Sequence, residues 1–296
     1  MIHYCHCPVC RSANISPALS AKDNTVSSEI FSINKCQDCT AMFTQDVPAQ
    51  EEIGKYYASE NYVSHSNTQK GLVNRLYHIV RKKTLSAKRK LIINETGIQR
   101  GKILDVGCGT GAFLNEMKNN GWHITGLEPD ETARKNAMEL FAIQPLPSPE
   151  IFNLAAESFD AITMWHVLEH VHQLQEYIAR LKTLLTKKGK LFIAVPNYTS
   201  LDAAHYKDFW AAYDVPRHLY HFSPQSMKTL MEAHGLQVKK IKPMWFDSFY
   251  VSMLSEQYKN GKGNTISAFF TGLVSNINSI FYKEKCSSVI YIIGKN

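Results

Sequence analysis

Two C-x-x-C pairs, Cys7/Cys10 and Cys36/Cys39, are the first residues in this 296-residue chain whose type and spacing suit chemistry. Each pair can set two thiolates on one turn at about 2.3 Å from a single ion, and two pairs close a tetrahedral zinc site. The rival reading is a pair of disulfides. The opening residues, Met1-Ile2-His3-Tyr4-Cys5-His6-Cys7, carry neither the basic nor the apolar region of an export signal. A cytoplasmic setting is therefore expected, where thiols stay reduced, and with it zinc. Four protein ligands leave no open coordination position, so the metal is expected to be structural. Cys5 and His6 are spare donors beside the first pair. Too few residues separate the pairs to build a core of their own, and the metal must stabilise this module.

A second constellation runs Ile103-Leu104-Asp105-Val106-Gly107-Cys108-Gly109-Thr110-Gly111. Its glycines allow a sharp turn and the close approach of a ligand. No Gly-Lys-Ser/Thr follows, which excludes a Walker loop. The third glycine comes one residue too early for the dinucleotide fingerprint. Asp105 precedes the loop and Glu128 follows some twenty residues on. A carboxylate at the end of the second strand accepts both ribose hydroxyls in dinucleotide-binding folds. The ligand expected is a nucleoside without phosphates, carrying positive charge. S-adenosylmethionine, with its ammonium and sulfonium groups, fits.

These residues need elements to position them. With 44% hydrophobic and 20% charged residues the chain can pack a core, which excludes disorder, collagen and coiled coil. No apolar run approaches the roughly 20 residues that span a bilayer. From Lys102 onward a βα alternation sets in: strands over Lys102–Val106, His123–Glu128, Phe159–Met164 and Gly189–Val195 alternate with helices over Gly111–Asn120, Glu131–Phe141 and Gln173–Leu185. This rhythm predicts an α/β fold, a doubly wound and mostly parallel sheet with helices on both faces. Such sheets bind ligands beyond the carboxyl ends of their strands, where both the glycine loop and Glu128 fall. The expected organisation is a metal module at 1–45, a connector at 46–71 with Tyr56, Tyr57 and Tyr62, and a main domain at 72–296. Leu72, Leu76, Ile79, Val80, Leu91 and Ile92 give residues 72–93 the pattern of an amphipathic helix. Nine of the chain's basic residues (Lys70, Arg75, Arg81, Lys82, Lys83, Lys88, Arg89, Lys90 and Arg100) cluster between 70 and 100 against one acid, Glu95. That window carries +8 of a net +7. A solvated helix face is the expectation; an RNA or membrane grip is the alternative.

The motifs also resemble a known family. Asp105-Val-Gly-Cys-Gly-Thr-Gly, Gly126-Leu-Glu128-Pro, Phe159-Asp-Ala-Ile and Trp165-His-Val-Leu-Glu-His170 look like the successive motifs of class I S-adenosylmethionine-dependent methyltransferases. A closer likeness is to bacterial methyltransferases with an amino-terminal Cys-knuckle module, a Tyr-Tyr connector and a string like Asp214-Val-Pro-Arg-His-Leu-Tyr-His-Phe-Ser223. The resemblance implies a Rossmann-like, seven-stranded sheet whose last strand, Ser287–Ile293, enters antiparallel beside strand five. It implies that Gly107, Cys108, Gly109 and Gly111 form the cofactor loop, that Asp105 orients the methionine amino end and that Glu128 holds the ribose. Trp165 and His166 would lie beside the methionine moiety and the acceptor. The loop Pro145–Glu157 has no acid followed by an aromatic, and no adenine contact is assigned.

The acceptor side is read from Asp214, Arg217, His218 and His221, four ionisable groups within eight residues that follow strand five. Arg217 offers a forked donor for an anionic acceptor, or else clamps Asp214 or a backbone carbonyl. His166, His218 and His221 are the candidate bases, poised near neutral pH. The order His166-Val-Leu-Glu-His170 is not the zincin motif. Residues 245–285 form an insertion before the last strand, a lid or an interface for a homodimer. Its apolar stretch Ile266–Ile280 is too short to span a membrane but long enough to lie on one. The reading is a zinc-bearing methyltransferase acting on a small-molecule or glycan acceptor. The alternatives are an RNA methyltransferase gripping through the zinc module and basic helix, and a non-catalytic interaction protein on the same scaffold.

Overall fold

A computed structural model describes residues 1–57 and 72–296, with side chains in the first long helix from residue 83 onward. Tyr62, Lys70 and the side chains of Leu72, Arg75, Leu76, Ile79, Val80, Arg81 and Lys82 lie outside the described residues. In chain order come β1 (Ile15–Lys22), β2 (Ile30–Cys36), β3 (Met42–Thr44) and α1 (Leu72–Thr96). The alternating part follows: β4 (Lys102–Val106), α2 (Ala112–Asn119), β5 (His123–Leu127), α3 (Glu131–Phe141), β6 (Phe159–Trp165), α4 (Leu174–Leu184) and β7 (Leu185–Pro196). The chain ends with α5 (Leu201–Tyr206), β8 (Tyr220–His221), α6 (Pro224–Ala233), β9 (Leu236–Pro243), α7 (Asp247–Asn260), α8 (Thr265–Phe281) and β10 (Ser288–Lys295).

The main sheet has the order β5-β4-β6-β7-β10-β9. Its strands are continuous apolar runs, as burial on both faces demands: Leu104, Val106, Ile162, Met164, Ile193, Val195 and Ile293 are all buried. β5, β4, β6 and β7 run parallel, while β10 enters antiparallel between β7 and β9, as the resemblance implied. Local signals start the helices. Asp130 caps α3 by accepting from the Ala133 N–H, and Ser223 and Ser226 form a capping box ahead of α6 with Pro224 in its first turn.

Among the described residues the sheet has six strands rather than seven. The position outside β5 shrinks to a single parallel bridge, Leu127 with Leu146. The Leu146 N–H donates to Gly126 O at 2.9 Å and Leu146 O accepts from Glu128 N at 2.9 Å. Pro145 and Pro147 flank Leu146, and neither has an N–H to extend the ladder.

The amino-terminal strands form a second, antiparallel sheet of order β1-β2-β3-β8. Met42 pairs with His221 and Phe43 with Tyr220. The cysteine-bearing module thus shares a sheet with the Asp214–Ser223 string, and the boundary expected at residue 45 is crossed by hydrogen bonds. Apolar packing explains the join: Phe43, Val47, Leu219, Tyr220 and Phe222 belong to one buried cluster, with Tyr4 edge-on to Phe43 at 5.5 Å.

Candidate active site

The carboxyl ends of β4, β5 and β6 converge on one cleft. After Asp105 the chain turns through Gly107, Gly109 and Gly111, at φ of 70°, 54° and 76°. Only glycine is at ease there. A Cβ on Gly107 would meet the Val167 side chain at 2.4 Å, whereas one on Gly109 would meet nothing within 4 Å. The loop is therefore packed on one flank and open at its tip. The Cys108 side chain instead packs on Gly126 of β5, so its contribution to the loop is its backbone.

Glu128 holds this loop in place. Its Oε2 accepts from the Gly109 N–H at 2.8 Å and its Oε1 from the Asp130 N–H at 3.0 Å. Asp105 is buried and accepts from the Thr163 hydroxyl at 2.6 Å, a pairing set by the β4–β6 register. Burial pushes the Asp105 carboxyl up to about 7, against the Thr163 hydrogen bond and the nearby Lys88 ammonium. Lys88 sits over the Trp165 ring at 4.1 Å, and its enclosure pulls it down to about 8. Trp165 lies edge-on to Phe113 at 5.7 Å, and its buried Nε1 has no partner among the described residues.

His166 follows β6 in the left-handed region, at φ 57°, with its N–H on Ala194 O at 2.9 Å. That turn aims the ring between two carboxylates. Asp247 Oδ2 lies 2.9 Å from Nε2 and Glu169 Oε1 lies 3.4 Å from Nδ1. Burial disfavours the charged ring, but Asp247 and Glu169 together raise it to about 10. Where a base poised near neutrality was expected, the two carboxylates favour the imidazolium form of His166.

Arg217 occupies the other position left open by the sequence, the clamp. It is buried, with Nη2 2.6 Å and Nε 3.1 Å from the two Asp214 oxygens, Nη2 3.2 Å from Asp23 Oδ1 and Nη1 2.7 Å from Tyr56 O. The forked donor joins three segments of this chain, at the wall of a small cavity shared with Tyr213, Asp214 and Tyr258. His221 is buried against Thr44 at 3.1 Å. Because the Thr44 hydroxyl gives its proton to His218 O at 2.7 Å, the His221 Nε2–H donates to Thr44. Burial holds that ring neutral, its pKa well below the usual histidine range. His218 is also inside, its Nδ1 2.8 Å from Ala212 O and its ring 4.7 Å from that of His170. His218 joins Glu169 and His170 in one cluster; Arg217 and His221 belong to the seam with the metal module.

Lys88, Thr163, Glu169 and Asp247 stand beside these residues, and local sequence assigns none of them a role there. Thr163 was within reach of reasoning from strand register, since it stands opposite Asp105. Lys88 falls in the window expected to be a solvated face. Its neighbour Arg89 pairs with Glu116 at 2.8 Å, so both are engaged within the chain rather than free for RNA. Asp247 had no local signal, being placed by the insertion.

In the amino-terminal module the four cysteine sulfurs gather as the C-x-x-C spacing predicts. Cys7 and Cys39 are 3.6 Å apart, Cys10 and Cys36 are 3.5 Å apart, and all four ligand atoms fall within 4.8 Å of one another. A tetrahedron with bonds of about 2.3 Å has edges of about 3.8 Å, so the set fits one zinc ion. Two matched turns build it: the Arg11 N–H closes on Cys7 O at 2.8 Å and the Thr40 N–H on Cys36 O at 3.1 Å. The cysteines are free thiols, and Cys5 is exposed outside the cluster.

The profile of a methyltransferase-domain family matches residues 77–241, more than half of the chain. The mitochondrial ubiquinone biosynthesis O-methyltransferase of Homo sapiens is 29% identical over 164 residues, covering 50% of this chain and 44% of that protein. The ubiquinone biosynthesis O-methyltransferase of Aeromonas salmonicida is 27% identical over 179 residues, covering 56% and 73%. The chain thus spans about half the length of the mammalian relatives it matches. A SAM-dependent methyltransferase from Archaeoglobus fulgidus has the same fold, with a TM-score of 0.50 and 21% identity over 73% of this chain and 94% of that one. Profile, fold and a carboxylate-framed glycine loop at the strand ends agree: the chain belongs to the methyltransferase-domain family, with the class I fold.

Proposed function

We propose that this protein methylates a hydroxyl group of a small-molecule acceptor, using S-adenosylmethionine, and that its cysteine cluster holds a structural zinc ion. The carrying observation is the cleft itself: a glycine loop open at Gly109, framed by Asp105 and Glu128, with a charged histidine beside it. Asp105 and Glu128 put two carboxylates at the loop, which suits a ligand rich in hydroxyls and positive charge. Glu128 would take the ribose hydroxyls, Asp105 the ammonium group, and the buried Trp165 Nε1 remains an unspent donor at the same end. When bound, the cofactor supplies an electrophilic methyl group.

The chain's own part is placement and electrostatics. His166, ion-paired with Asp247 and Glu169, would orient the acceptor hydroxyl, whose proton would pass to the Asp247 carboxylate as the oxygen takes the methyl group. Trp165 and Phe113 wall that space and keep water from competing. The relatives named above as O-methyltransferases support oxygen as the acceptor atom. A reducing, cytoplasmic setting goes with four free thiols around zinc.

Calorimetry with S-adenosylhomocysteine tests the cofactor half. Glu128→Ala is expected to weaken binding by about 1 to 3 kcal/mol through lost charged hydrogen bonds. Equal affinity in both proteins removes the ribose assignment. His166→Gln tests the other half: cofactor affinity is expected to stay, while turnover on a hydroxylated acceptor, found with labelled cofactor, drops about 10²-fold. Unchanged turnover takes His166 out of the reaction. Label appearing in RNA, with salt-sensitive binding, replaces the small-molecule reading.

A further inference from the structure

The α7–α8 hairpin is built inside out. A helix on a soluble protein turns its large apolar side chains inward. Helix α8 instead buries Ala268, Gly272, Ser275 and Ser279. The approach is close enough that a Cβ on Gly272 would stand 3.1 Å from Phe249 Cα. Phe269, Phe270, Ile277, Ile280 and Phe281 are left outside, Phe281 with 77% of its surface exposed. Helix α7 repeats the pattern, with Ser248, Ser252 and Ser255 buried while Phe246, Tyr250 and Met253 face out. Both helices thus present exposed large apolar side chains, most of them on α8.

Charge identifies what covers it. Over its 17 residues α8 has no ionisable side chain. Exposed lysines bracket it, Lys259 and Lys262 before and Lys283 and Lys285 after. The sole acid from residue 259 to 285 is Glu284, which lies 3.6 Å from Lys228. An apolar rod about 26 Å long with cationic ends matches an interfacial helix lying flat, its lysines reaching anionic headgroups. Among the described residues no helix is long and apolar enough to cross a membrane. A second copy of the chain fits less well, because two-fold packing of α8 on α8 brings lysines against lysines, whether the helices run parallel or antiparallel.

We infer that the α7–α8 hairpin docks this protein on an anionic bilayer surface. Asp247, in the first turn of α7, is the residue that holds His166, so the hairpin that docks is joined directly to the candidate site. The inference rests on the hairpin alone and stands or falls separately from methyl transfer.

Vesicle flotation of the full chain tests it. The protein is expected to float with phosphatidylcholine vesicles containing about one third phosphatidylglycerol, to float far less with pure phosphatidylcholine, and to be released by salt. Phe270→Ser with Phe281→Ser, and separately Lys283→Glu with Lys285→Glu, should each cut partitioning about tenfold or more. Both variants should keep the wild-type melting temperature and cofactor affinity, since these side chains are exposed and outside the cleft. Absence of flotation with anionic vesicles overturns the inference. So does equal flotation of wild type and both variants. A concentration-dependent dimer abolished by Phe270→Ser with Phe281→Ser also overturns it, and gives the face to a second copy.

Discussion

Arg217→Ala is expected to lower the unfolding free energy by about 3 to 5 kcal/mol, because it takes the cation from the buried Asp23 and the half-buried Asp214 carboxylates. Asp23 is buried in the metal module and Asp214 precedes β8, so the arginine ties the module to the main domain. The side chain also supplies a donor to Tyr56 O at 2.7 Å, within the connector. Loss of stability should therefore appear as separation of the two sheets as well as a lower midpoint. Chemical denaturation read by fluorescence measures the first quantity, and hydrogen exchange at β3 and β8 the second. Arg217→Lys should recover only part, since an ammonium cannot bridge Asp214 with two parallel hydrogen bonds. If Arg217→Ala keeps wild-type stability and loses turnover with cofactor affinity intact, Arg217 belongs to the acceptor site and the clamp is wrong.

Cys36→Ser is expected to release the metal and unfold the amino-terminal module, because metal affinity in so small a unit is folding free energy. The wild-type chain should carry one zinc ion by elemental analysis, and this variant none. The sheet order extends the damage. β3 hydrogen-bonds to β8, so exchange protection should fall at residues 214–223 as well as at 1–45, while β4 to β7 stay protected. Thr44 holds His218 O and Arg217 O faces His170, so a bound zinc ion would be a remote support of that histidine pair. Disulfides at these cysteines, or protein purified without chelator and lacking metal, would refute the zinc site. Loss of protection confined to 1–45 would refute the coupling through β8.

The sequence by itself determined whatever depends on near neighbours. C-x-x-C spacing closes a turn within five residues, so the sulfur cluster was legible before any fold was known. The glycine loop, the carboxylate ending β5 and the period of strands and helices are local in the same way. The sheet therefore appeared with nearly the predicted strands, and β10 with its reversed direction. Even the missing strand had a local cause, in Pro145 and Pro147 flanking Leu146. Tertiary structure alone decided where the charges went. His166 and Asp247, Lys88 and Asp105, and Arg217 and Asp23 are far apart in the chain, and each pair meets because layers pack. A buried charge needs a partner, but nothing in its local sequence says which one, so Arg217 read equally as substrate donor or clamp. The same holds for α8: its apolar residues were visible, yet which face they take follows from Gly272 lying against Phe249. Patterning reports how apolar a helix is, and only packing reports which side the protein covers.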